Sequence, residues 1–309
     1  MAKTRDIRKR IQSVRNIHKI TRTMEKVAQS KGMKLSARFD NAKAFRRSTT
    51  ALLPEALGVP LSSTEAAEKL ASHPLGAAHG EGKRVLLFCV TSSRGLCGAY
   101  NARVIQAAKA RMDAVQREGR EALLAVMGRK GLAYFRFHEQ PVAFPIADAD
   151  ENLPFRRLDE VVEQIGERFA AGELDAVEIV STRWKSRAVQ EVRIVPFLPF
   201  LPSVAAAVVG SGPTVPTEGS SGKPLYLVEP DRPRVLGILV PLLVKAEMFC
   251  GVLEAMVCEQ AQRSAAMRNA SDNAESMTKR LTRTYNRVRQ AQITNEMIEI
   301  LSGSEGGRT

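Results

Sequence analysis

Four cysteines in 309 residues, none of them in a CxxC pair, exclude two classes at once. They are too few for a disulfide framework in a chain this long, which points to a reducing cytoplasmic setting. Cys89 and Cys97 are eight apart, as are Cys250 and Cys258, which fits neither a zinc knuckle nor a zinc ribbon. Histidine is just as scarce. His18, His73, His79 and His138 fall on separate segments with no HxxxH or HExxH spacing, and no Ser-His-Asp arrangement can be traced. Long hydrophobic runs are missing too. The longest, residues 235–244, contains Gly237 and Pro241 and is too short and too broken to span a bilayer. No secretory segment precedes Ile7. A soluble protein, at most peripheral to a membrane, is the expectation.

Phosphate-binding motifs are incomplete. Arg94-Gly95-Leu96-Cys97-Gly98-Ala99-Tyr100-Asn101 places a glycine-bearing turn before a helix, where backbone N–H groups attract anions, but it is not GxGxxG. Gly82-Lys83 has Ala77 where a P-loop needs glycine and Arg84 where it needs Ser or Thr. A plain strand-to-helix turn is favoured, with no cofactor and no active site of the chain's own. Asn269-Ala270-Ser271 matches a glycosylation sequon but falls mid-helix and is set aside.

What the chain does have is charge at its ends. Of the net +13, residues 1–50 hold 15 Lys and Arg against 3 Asp and Glu, and residues 260–301 hold 7 against 4. The rest is nearly neutral, so the ends imply an acidic or anionic partner. Both ends also read as long helices. Ile7, Ile11, Val14, Ile17, Ile20, Met24 and Val27 form one stripe. Met267, Ala270, Ala274, Met277, Leu281, Tyr285 and Val288 form another, recurring about every 3.5 residues, the coiled-coil period. No proline interrupts residues 252–301, which allows a helix of roughly 75 Å that needs a partner along its length. Pro241 sits where a kink or restart is expected.

Between the ends, residues 54–82 read as a linker with one short helix near 63–71. Strands are expected at 85–90, 122–127, 177–182 and 188–195, and helices at 129–137 and 155–170. Another helix, capped by Asn101, is expected to run to Arg117. Residues 196–224 read as an irregular excursion. The expected fold is α/β: a long antiparallel coiled coil of the N- and C-terminal helices with an inserted Rossmann-like α/β domain. Its parts are an N-terminal helix over 1–54, the α/β domain over 83–200 and a C-terminal helix over 232–301. A basic coiled-coil nucleic-acid-binding or scaffold protein is the alternative. Against it, the only aromatics of the first helix, Phe39 and Phe45, lie on its apolar stripe rather than among its charges.

Three blocks are similar to one family. They are Ile7-Arg8-Lys9-Arg10-Ile11 through Lys26-Val27-Ala28, then Thr91-Ser92-Ser93-Arg94-Gly95-Leu96-Cys97-Gly98, and Ala266-Met267-Arg268-Asn269-Ala270-Ser271-Asp272-Asn273-Ala274 with Tyr285 to Thr294. The chain resembles the gamma subunit of rotary proton-translocating ATP synthases. The resemblance implies a central-stalk rotor without a catalytic site, working with alpha and beta subunits, an epsilon subunit and a ring of c subunits. The resemblance also implies no nucleic-acid partner and a peripheral place on the cytoplasmic face of a bacterial inner membrane. It puts Lys19, Arg22 and Met24 against beta, and Arg289, Gln290, Thr294 and Glu296 in a hydrogen-bonded catch to beta. Tyr226 and Glu229 become contacts between the foot and the c ring. Ile7, Ile11, Val14, Met267, Ala270, Ala274, Met277, Leu281 and Val288 become the coiled-coil seam. The photosynthetic members' paired-cysteine insert is absent from 196–224, so thiol regulation by light is not expected.

Overall fold

A computed structural model describes residues 2–78, 83–147, 155–186, 189–201 and 227–305. The chain forms two compact units, residues 1–30 with 263–309 and residues 31–262. Helix α1 covers Ala2–Ala51, and the last helix, α7, covers Arg232–Glu305. Pro241 lies inside α7 rather than ending or restarting it. The carbonyl it deprives of a partner belongs to Gly237, four residues earlier. Gly237 is exposed with open space around it, so that carbonyl can turn to water.

In the larger unit β1 (Arg84–Val90) is the middle strand of a five-stranded sheet. It pairs in parallel with β2 (Glu121–Met127) on one side and with β4 (Ala176–Trp184) on the other. The short β3 (Phe144–Ile146) extends the sheet beyond β2, and β5 (Gln190–Leu198) closes the far edge antiparallel to β4. The continuous apolar run of β1 is explained by helices on both faces. Val85, Leu87 and Cys89 pack with Val104, Ala108 and Met112 of α4 (Tyr100–Arg117) and Phe135 of α5 (Arg129–Phe137). Leu86, Phe88 and Val90 point the other way. They join Leu158, Val162, Ile165 and Phe169 of α6 (Phe155–Ala170), Leu35 of α1, and Val240 to Val257 of α7. Each fully buried Leu, Val or Phe contributes about 1.5–3 kcal/mol, so the helices from the two chain ends are anchored where they meet the sheet.

Residues 54–78 are more than a linker. Pro54 opens α2 (Leu53–Leu57), where its missing N–H costs nothing. In α3 (Thr64–Ala71) Ser63 is the N-cap, accepting from the N–H of Ala66 at 3.1 Å. Leu53, Leu57, Ala66 and Leu70 are buried in the same core as the sheet. Asn101 is not a cap. It lies inside α4, whose N-cap is Ala99. The strand at the end of the sheet runs to Leu198, so residues 196–198 are ordered pairing and not excursion. Residues 202–226, His79 and Ala188 lie outside the described residues.

Helix α7 meets the length and hydropathy required of a membrane span, with a mean hydropathy of 2.0 over its most apolar part, half of which is buried. The buried half belongs to the core around the sheet, and the charges within this stretch are paired. Lys245 pairs with Asp159 and Glu163 of α6, and Glu247 with Arg46 of α1 at 2.7 Å. The run at 235–244 understated how apolar the helix is, because Met248, Phe249, Val252 and Leu253 continue it past Lys245 and Glu247.

Candidate functional site

The smaller unit is a pair of helices. Along α1 the inward positions are Thr4, Ile7, Ile11, Val14, His18, Thr21, Glu25 and Ala28, alternating steps of three and four. Along α7 they are Met267, Ser271, Ala274, Thr278, Leu281, Tyr285, Val288 and Gln292, with the same alternation. This is the heptad of a two-helix coil. Cross-contacts set its direction. Thr4 Oγ1 donates to Gln292 Oε1 at 3.3 Å. His18 Nδ1 lies 3.0 Å from the Ser271 carbonyl oxygen and 3.1 Å from its Oγ. Arg268 Nε donates to Glu25 Oε1 at 2.9 Å. Partner numbers fall as α1 numbers rise, so the helices are antiparallel.

The buried face differs from the apolar stripe read from the sequence. Ile11, Val14, Met267 and Ala274 are buried, while Ile7, Leu281 and Val288 are half-buried. Ala270 is only half-buried and Met277 is 52% exposed. Ser271, at 5%, and Thr278 stand at the seam in their place. On α1 the stripe leaves the seam after Val14. Ile17, Ile20, Met24 and Val27 are 51%, 58%, 38% and 47% exposed, and His18, Thr21, Glu25 and Ala28 take the inward positions. Thr21 is cheap to bury because its hydroxyl donates to carbonyls one turn back, at Ile17 (3.0 Å) and His18 (3.1 Å). Thr278 does the same to Ala274 at 2.9 Å. The exact alternation of steps from Thr4 to Ala28 carries this register; hydrophobicity alone hides it.

Lys19, Arg22, Met24, Arg289, Gln290, Thr294 and Glu296 are all exposed. Around the last four, Thr294 Oγ1 donates to the Gln290 carbonyl at 3.0 Å and Gln292 Nε2 to Glu296 Oε1 at 2.9 Å. In the larger unit Glu229 is exposed, and Tyr226 lies outside the described residues.

The glycine-bearing turn after β1 occupies the carboxyl ends of the strands where the strand order reverses, the usual ligand crevice of such sheets. Among the described residues, side chains of the chain itself stand there. Tyr100 is completely buried against Cys97 and Cys258 of α7, and its hydroxyl donates to the Val90 carbonyl at 3.1 Å. Burial, helped by Glu259, Cys258 and Cys97, holds that hydroxyl well above the usual tyrosine range. The turn's polar groups satisfy one another. Ser92 N–H donates to Asn101 Oδ1 at 2.9 Å, Asn101 Nδ2 to Ser92 Oγ at 2.8 Å, and Ser92 Oγ to the Arg94 carbonyl at 2.6 Å. The segment serves as a structural turn.

All four cysteines are buried. Burial pushes the thiols of Cys89 and Cys258 up to about 12 and that of Cys250 up to about 11. At about pH 8 the thiolate fraction of Cys89 or Cys258 is then on the order of one in ten thousand. The folded chain is expected to leave these three unmodified by a thiol reagent that labels every cysteine in denaturant. Rapid labelling of Cys89 or Cys258 in the native protein would show that the sheet's core opens.

A family model described as ATP synthase matches residues 3–306. The ATP synthase gamma chain of Leptospira biflexa is 32% identical over 305 residues, 99% of either chain. Those of Gemmatimonas aurantiaca and Rhodospirillum rubrum are each 34% identical, covering 98% and 99% of both chains. In fold, the chain is similar to a chain in the rotor of the Euglena gracilis mitochondrial ATP synthase. That match has a TM-score of 0.60 at 19% identity, covering 94% of this chain and 99% of that one. A second Euglena gracilis structure, of OSCP, F1 and c-ring, contains a chain matched at 0.64 and 20% identity, with 99% and 94% covered. Full-length similarity at this level shows that the chain belongs to the ATP synthase gamma chain family.

Proposed function

We propose that the chain is the central rotor of a proton-translocating ATP synthase, turned by a ring of c subunits and driving conformational change in alpha and beta subunits. The observation that carries this reading is the antiparallel helix pair of a gamma-family chain with Ile17, Ile20, Met24 and Val27 facing outward among Lys19 and Arg22. A shaft needs paired helices for torsional stiffness. It also needs an asymmetric surface, so that each catalytic subunit meets a different side and is biased to a different state. An apolar island on one side of a basic helix supplies that asymmetry.

In this reading Lys19, Arg22 and Met24 touch beta, Arg289, Gln290, Thr294 and Glu296 form a catch to beta, and Tyr226 and Glu229 meet the c ring. An epsilon subunit binds the α/β domain of residues 83–200, between helical segments 1–54 and 232–301. The chain carries no catalytic group. It is held peripherally at the cytoplasmic face of the inner membrane through the complex.

Two measurements test this. Membrane vesicles lacking the chain should not pump protons on ATP hydrolysis, nor make ATP from a proton gradient; intact coupling would end the rotor reading. Met24→Lys places a charge on the apolar island, where a buried contact would have to desolvate it. Protons pumped per ATP hydrolysed are expected to fall several-fold with assembly retained, and an unchanged ratio would remove Met24 from the contact.

A further inference from the structure

The seam of the smaller unit fixes where the remaining side chains of its two helices stand. With heptad positions named a to g, His18 and Glu25 of α1 are a, and Val14, Thr21 and Ala28 are d. Positions e and b then lie on one flank of the helix, g and c on the other. Between residues 15 and 27 the e and b positions are Arg15, Lys19, Arg22 and Lys26, all cationic. The g and c positions are Ile17, Ile20, Met24 and Val27, all apolar. All eight are exposed, and on the outer side Asn16 and Thr23, at f, separate the two sets. At 3.6 residues per turn Met24 stands about 140° around the helix from Lys19 and about 160° from Arg22. Because the helices run in opposite directions, the e positions of both border one side of the seam and the g positions of both the other. On α7, Arg268 and Glu275 are e, while Ala270 and Met277 are g. The contacts agree. Arg268 and Gln29, both e, reach the same Glu25 oxygen. Lys279 holds the Glu275 carboxyl below its usual range, and His18 and Arg22 add to this from α1.

We infer that the coil has two opposed docking faces, so that Ile17 and Met24 meet apolar surface of one copy of beta while Arg15 and Arg22 meet acidic side chains of another. The identity of the partner rests on the rotor reading; the opposition of the faces does not. Charge decides what each face takes. On the basic flank the carboxylates of Glu25 and Glu275 are already held, by Arg268 at 2.9 Å and Lys279 at 2.8 Å. The four cations of α1 are therefore left in excess, which fits an acidic partner. On the other flank α1 carries no charge between residues 15 and 27, and Ala270 with the exposed Met277 continues the apolar strip onto α7. An acidic group docked there would lose water and gain no cation, whereas an apolar side chain is covered at no such cost. Met24 and Arg22, though only two residues apart, therefore belong to different contacts.

A photoreactive p-benzoylphenylalanine on each face counts the copies. In the assembled complex at rest, replacing Met24 alone or Arg22 alone should give, on irradiation, a product of one gamma chain with one beta. A chain with both replacements should also give one gamma chain joined to two beta, in a fraction equal to the product of the two single-site yields. If both sites crosslink singly but the doubly replaced chain never joins two beta, the faces meet one copy and the inference falls. Crosslinks from either site to alpha alone overturn it as well. With assembly verified, no crosslink to alpha or beta from either site would end the rotor reading, and the partner assignment with it. Salt reads the chemistry of the faces. Affinity of the native chain for the alpha–beta assembly should fall as ionic strength rises. Arg15→Gln with Arg22→Gln should flatten that dependence roughly threefold, while Ile17→Ala with Met24→Ala lowers affinity and leaves it unchanged. Equal salt dependence in the two variants would show that the basic flank docks nothing acidic.

Discussion

Glu247→Ala is expected to cost about 3–5 kcal/mol, the usual penalty for stripping the partner from a buried charge. Arg46 Nη1 and Glu247 Oε2 are 2.7 Å apart, each side chain 11% exposed, and they join α1 to α7 beside the sheet. Arg46 Nε has no hydrogen-bond partner of its own, so Glu247 is what makes the guanidinium tolerable there. The reverse change is expected to cost less. With Arg46→Ala, Glu247 retains Arg183, whose Nη2 is 4.0 Å from its other oxygen. Replacing both residues, Arg46→Met with Glu247→Met, should recover most of the loss, because apolar side chains of similar volume fill the site without stranding a charge. The single tryptophan reports the transition locally: Trp184 N–H donates to Glu254 Oε1 at 2.9 Å, one heptad along α7. Urea unfolding followed by its fluorescence should rank Glu247→Ala as least stable, then Arg46→Ala, then the double variant. A double variant no better than Glu247→Ala would mean the pair stabilises beyond its mutual compensation.

Gly128→Ala is expected to be comparably damaging for a different reason. Gly128 follows β2 with φ at 99°, a region side chains avoid. A β-carbon there would stand within 2.3 Å of the Thr91 carbonyl oxygen and 2.6 Å of its carbon, backbone atoms that cannot swing aside. The strain of the dihedral, about 1–3 kcal/mol, and of the overpacked contact, again about 1–3 kcal/mol, act together. The damage spreads through Thr91, whose hydroxyl donates to the Met127 carbonyl at 2.6 Å and accepts from the N–H of Gly131 at 3.0 Å. Heat denaturation should show a large drop in midpoint for Gly128→Ala. Gly119→Ala, also at positive φ (73°) but in open space, separates the two causes: it carries the dihedral cost alone and should lose roughly half as much. Equal losses would mean that contact with Thr91 contributes nothing.

Much of this fold could be read from the residues. The helices at 129–137 and 155–170 have the bounds their periodicity indicates, because each has one apolar face and is bounded in sequence by breakers or polar residues, Gly128 and His138-Glu139 for the first, Pro154 and Gly172 for the second. The central strand declared itself by being apolar throughout, the mark of burial on both faces. Strand β3 was invisible: Phe144-Pro145-Ile146 is three residues long with a proline, and only its pairing with β2 makes it a strand. Asn101 looked like a cap, but its amide is used within the turn before α4. The seam shows most clearly where hydrophobicity misleads. Up to Val14 the apolar residues and the heptad coincide. From Ile17 they separate by one position: the heptad set by Ile7, Ile11 and Val14 continues through His18, Thr21, Glu25 and Ala28, where His18 and Glu25 meet polar groups of α7.

The crevice at the end of the sheet has a thermodynamic consequence. A protein that binds a small molecule in its folded form is stabilised by that molecule in proportion to its concentration, so its stability follows the composition of the surrounding solution. Tyr100, packed between Cys97 and Cys258 with its hydroxyl on Val90, occupies that place permanently and contributes the same at every concentration of solute. For a part that works beside sites where nucleotide levels swing, this packing contributes a constant share of the sheet's stability.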